Sequence, residues 1–84
     1  MSLELRRKIL GILSLHKESM ELHTLINKLS KEESIDVDSI LTELLIMKAL
    51  GLINIQAKED EEEGIVLDVS LTHYGNLLIK YKKV

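Results

Sequence analysis

Cysteine, proline, phenylalanine and tryptophan are all missing from this chain of 84 residues. Without cysteine there is no disulfide framework, no thiolate metal site and no Cys nucleophile. No apolar run reaches the ~18 residues of a membrane span, so no membrane partner is expected. Aromatic surface comes only from Tyr74 and Tyr81. The composition, 45% hydrophobic and 30% charged, is that of a globular protein, and its apolar part is almost wholly Leu, Ile and Val. At this length residues 1–84 form one domain with a thin core, which makes a homodimer the expectation. Arg6, Arg7 and Lys8 precede an apolar stretch, but Gly11, Ser14 and His16 interrupt it and no small-residue cleavage site follows. The segment reads as a helix of the fold and not as a signal peptide, and a cytoplasmic location is the expectation.

Hydrophobic spacing divides the chain. Leu5, Ile9, Ile12 and Leu13 mark a first helix. Ser19 is placed as the cap of a second, whose apolar residues Leu22, Leu25, Ile26 and Leu29 repeat at three and four. Residues 31–34 are a polar connection, and Asp36 is the N-cap of a third helix with Asp38 in its first turn. Val37, Ile40, Leu41, Leu44 and Met47 form its inner stripe, and Gly51 suits the left-handed position that ends it. The period then changes to two. Ile53, Ile55 and Ala57, then Ile65, Leu67 and Val69, are the inward residues of a β-hairpin whose loop is the acidic run Glu59–Glu63, closed by Gly64. Thr72 caps a last helix with Tyr74, Leu77, Leu78 and Tyr81 along one side and Lys80, Lys82 and Lys83 at its end. The fold class is α+β, mainly α, in the order α-α-α-β-β-α, with a helix-turn-helix in the second and third helices.

The run from Ser34 to Ile53, a periodic helix ending in Gly51-Leu52-Ile53, resembles the third helix of winged-helix regulators as it enters the two-stranded wing. Leu71-Thr72-His73-Tyr74-Gly75-Asn76-Leu77-Leu78 is similar to the Leu-Thr-x-x-Gly-x-x-Leu step that follows the wing in many such proteins. Together, with the hairpin between them and the first two helices ahead, the two stretches follow the family's order along the chain. The resemblance implies a winged helix whose third helix enters the DNA major groove while the wing touches backbone or minor groove.

Charge argues against that docking. Residues 1–31 hold six Lys/Arg against three Glu, or +3; residues 32–70 hold two Lys against eleven Asp/Glu, or −9; residues 71–84 hold three Lys, or +3, and the total is −3. The segment that ought to meet phosphate is the acidic one. Projected at 100° per residue, the third helix turns Asp38, Ser39, Thr42, Ile46 and Ala49 outward, with Glu43 at the edge and Lys48 toward the core.

Two functions follow. The first is a DNA-associated transcriptional regulator acting as a homodimer, with backbone contacts from Arg6, Arg7, Lys8, Lys28 and Lys31, help from His23 and Asn27, and base contacts from Ser39 and Thr42. The alternative is a protein-interaction module working through Leu45, Ile46, Ala49 and Leu50. For Leu45 and Leu50 a simple packing role, under the wing or against the first helix, stands beside it.

The acidic run reads first as a solvated loop, since it lacks the alternating ligands and turn glycine of a calcium loop. His16, His23 and His73 make no i, i+4 pair, so no metal site is expected. No phosphate loop, nucleophile elbow or carboxylate pair is present, and the chain is read as non-enzymatic with no cofactor.

Overall fold

The computed structural model describes residues 3–16 and 19–82, the last two by backbone alone. Its elements are α1 (Leu3–Ser14), β1 (Met20–Glu21), α2 (Leu22–Asn27), α3 (Val37–Ala49), β2 (Ile53–Asp60), β3 (Gly64–Leu71) and α4 (His73–Lys82). A π-helical turn, Lys28–Glu32, prolongs α2. The strands form one antiparallel sheet in the order β1-β3-β2, with Ile55 opposite Val69 and Met20 on the other flank of Val69. Ile9, Leu13, Leu25, Leu29, Ile40 and Met47 bury between the helices and the near half of this sheet. The result is a small, mainly helical α+β fold.

Ser19 is not the cap of the second helix. Residues 20 and 21 run extended, because Met20 buries in the core while its backbone pairs with β3. Helix α2 starts after Glu21, which makes no side-chain cap bond, and Ser19 Oγ instead donates to Asp68 Oδ2 at 3.4 Å. The polar connection is also shorter than its composition suggests, since the π turn carries helical backbone through Glu32. Leu29 O closes that turn by accepting from both Glu33 N and Ile35 N, and Ser34 takes a left-handed φ of 57°.

Helix α3 begins as expected, with Ser39 N donating to Asp36 Oδ2 at 3.1 Å. Its C-terminus is a Schellman motif in which Leu52 N bonds Met47 O and Gly51 N bonds Lys48 O, with Gly51 at φ 81°. The buried side is rotated from the projected one. It consists of Ile40, Glu43, Leu44 and Met47, whereas Val37 and Leu41 are exposed and Lys48 points to solvent. The rotation follows from Arg6, which neutralises Glu43 and lets a carboxylate enter the core side.

Glu59 and Asp60 belong to β2, so only residues 61–63 form the turn. Asp60 Oδ2 accepts from Glu63 N at 2.9 Å and Gly64 supplies φ 84°, which together close a tight hairpin. Of the expected inward residues, Ala57, Ile65 and Leu67 are exposed, because the hairpin runs on past the helices that cover Ile53, Ile55 and Val69. Val66 is buried instead, on the other face, beside its cross-strand partner Lys58.

In α4, Tyr74 is exposed and Gly75 and Leu78 face the core side. The side chains of Tyr81 and Lys82, and Lys83 and Val84 entirely, lie outside the described residues.

Candidate functional site

The basic residues of the nucleic-acid reading are mostly engaged. Arg6 Nε meets Glu43 Oε2 at 2.5 Å, with Glu43 only 2% exposed. Lys8 Nζ reaches Glu33 at 3.1 Å, and Lys28 pairs with Glu32 four residues on at 3.5 Å. His23 Nδ1 lies 3.3 Å from Glu21. Arg7, Asn27 and Lys31 are exposed, and Arg7 and Lys31 make no ion pair among the described residues.

Ser39 and Thr42 come together with Lys8, but in acidic company. They line a cleft of about 610 Å³ between α1 and the start of α3, whose other charged groups are Glu4, Glu33, Asp38 and Glu43. Ser39 is further committed to the helix cap through both its N–H and its hydroxyl. Carboxylates outnumber cations here, and a phosphate entering this cleft meets repulsion.

The aliphatic candidates are better placed. Leu45 is 65% exposed and Leu50 51%, so neither packs under the hairpin or against α1 as a core residue would. Ala49 is exposed, while Ile46 is half-buried and stands at the border of the outer face. Leu41, also exposed, precedes Leu45 and Ala49 at spacings of four, so the three run up the solvent side of α3 opposite Ile40, Leu44 and Met47. Sequence projection had placed Leu41 inside; the rotation of α3 toward Glu43 brings it out.

Sequence reasoning passed over a second cavity, of about 490 Å³, between α1, α4 and the end of α3. Leu50, Tyr74, Gly11 and Arg7 border it. One signal was legible: Gly11 lies inside an apolar helical run, where glycine is about 1 kcal/mol less favourable than alanine.

Among the described residues no group of three or more His, Asp or Glu side chains is arranged to hold a metal ion, and no helix is long and apolar enough to cross a membrane. Compared with known proteins, the chain matches no family model, no curated protein and no solved structure at a significant level.

Proposed function

We propose that this chain is a winged-helix domain that works as a protein-interaction module, docking a partner on the outer face of α3. The fold part of the reading is supported by α2 and α3 joined through a short turn, and by α3 passing through Gly51 directly into an antiparallel hairpin followed by α4. The functional part is carried by one observation. Leu41, Leu45 and Ala49 line the solvent side of a helix that is already apolar on its core side. That outer stripe has no cover among the described residues, and contiguous apolar surface left open to solvent marks a contact site. Asp38 and Lys48, both exposed, bracket that face and set the polar rim of the contact.

A second reading, a DNA-associated regulator acting as a homodimer, keeps support from Arg7, Lys31 and Lys48, which are exposed and free of ion pairs among the described residues. One experiment separates the two. Leu45→Glu is compared with the triple reversal Arg7→Glu, Lys31→Glu, Lys48→Glu, both against duplex binding at several salt concentrations and against a purified partner found by in-cell crosslinking. The interaction reading expects Leu45→Glu to abolish the partner complex and the triple variant to leave it within a few fold. Salt-steep duplex binding that is lost in the triple variant and kept by Leu45→Glu overturns it.

A further inference from the structure

The groove between α1, α4 and the end of α3 has an aliphatic floor and a basic edge. Leu10, Leu52, Leu78 and Ile79 form its walls, and among the described residues its only charged lining groups are Arg6 and Arg7. Arg6 is bound to Glu43, which leaves Arg7 exposed and unpaired among the described residues. Gly11 borders the same space, and a side chain built there meets nothing within 4 Å. No crowding demands glycine at this point of the helix; what its bare Cα provides is open room over the α1 backbone.

We propose that this groove binds a small amphiphile, an aliphatic chain with an anionic head group. The chain lies along Leu10, Leu52 and Leu78, over Gly11, and a carboxylate head is held by the Arg7 guanidinium, whose planar fork matches it in a two-point contact. The volume, about 490 Å³, lies within the range of about 300–1,000 Å³ typical of small-molecule sites. Charge decides between this occupant and a second copy of the chain. The described lining holds no carboxylate, so a second copy seated groove to groove brings no partner for Arg7, whereas an anionic head supplies one.

The test uses decanoate, decanol and decyltrimethylammonium, each below its micelle concentration, with calorimetry and amide chemical shifts as readouts. Decanoate is expected to bind one to one with shifts centred on Gly11, Leu50 and Tyr74, decanol at least tenfold more weakly, and the cation more weakly still. Arg7→Gln, at an exposed position, reduces decanoate affinity to that of decanol. Gly11→Leu folds normally and abolishes binding by filling the groove. Equal affinity for the three head groups overturns the proposal, as does undiminished binding to a folded Gly11→Leu. Sedimentation of the free protein as a dimer that decanoate does not perturb, with these same amides shielded, assigns the groove to a second copy and also overturns it.

Discussion

Arg6 and Glu43, 37 residues apart, meet through a charged hydrogen bond that joins the first turns of α1 to the middle of α3. Glu43 is the sole charged residue among the described buried ones, and Arg6 stays partly open to solvent. A buried carboxylate costs several kcal/mol unless it is paired, so this contact sets which way α3 faces.

Removing one partner is therefore worse than removing both. Arg6→Met is expected to lose about 2–3 kcal/mol in urea unfolding, because it strands Glu43 beside the core. Arg6→Met with Glu43→Leu should recover most of that loss, giving a large coupling energy in a double-mutant cycle. Reversing Arg6 to Glu would oppose two carboxylates and unfold the protein, which disqualifies it as a probe of nucleic-acid binding. A near-neutral Arg6→Met would show that the pair does not orient the helix.

The acidic run divides into a structural residue and a solvated remainder. Asp60 Oδ2 caps the turn through Glu63 N, whereas Glu61, Glu62 and Glu63 are exposed with no side-chain bond among the described residues. Replacing those three glutamates with Ser should change stability by no more than about 0.5 kcal/mol. Asp60→Ala should cost about 1 kcal/mol, the value of a lost local hydrogen bond. Equal effects in thermal unfolding would mean that the turn is held by strand pairing alone.

These contacts mark where the sequence was readable. The Asp36 cap, the Gly51 stop and the change to alternating strands are local patterns, and each stands in the structure at its expected place, whereas the helix periods placed the helices in order but not the start of α2 or every inward residue. Strand β1 was not readable, because two residues carry no period and its cause is a partner far along the chain. The face of α3 was misjudged for the same kind of reason. Helical projection treats a glutamate as outward, and only the arginine arriving from α1 reverses that. Ile65 and Leu67 show the converse: alternation identifies a face of the sheet, but not how far the helices extend to cover it. Of the candidate site, the exposed Leu45 and Ala49 were legible, while the ion pairs that occupy Arg6, Lys8 and Lys28 were not.

Lys58 offers a pH-dependent test of the hairpin. Its Nζ lies 3.0 Å from Asp68 Oδ2, and the hydrogen bond and charge of Asp68 raise the lysine pKa above its ordinary value. A raised folded-state pKa adds stability at pH values below the unfolded value, and that part is lost as pH climbs through the folded value. The unfolding midpoint should thus fall above about pH 10, and Lys58→Met should lower the midpoint slightly at neutral pH, where the pair contributes, and flatten this alkaline decline so that the two proteins converge at high pH. Lys58 is exposed, so the effect is small and is best read as the difference between the two pH profiles. An identical decline in both proteins would assign it to other groups.

The stop of α3 and the start of α4 form a single joint, and it is the most sensitive place to test the fold. Thr72 Oγ1 donates to Gly51 O at 2.6 Å and accepts from Gly75 N at 3.0 Å, while Thr72 N bonds Leu52 O. The two motifs that carried the winged-helix resemblance thus meet physically, one capping the other. Thr72→Val keeps the shape but removes both hydroxyl bonds, and should cost about 1–2 kcal/mol. Gly75→Ala should cost more, about 2–3 kcal/mol, since a Cβ there runs into the carbonyl oxygen of Leu52 and backbone cannot swing aside as a side chain does. Gly11→Ala is the control, because it meets open space and replaces a poor helix former, and it should stabilise by up to about 1 kcal/mol. Urea unfolding of the three variants orders them. If Gly75→Ala proved as harmless as Gly11→Ala, α4 would have to pack away from Leu52, and the joint described here would not exist.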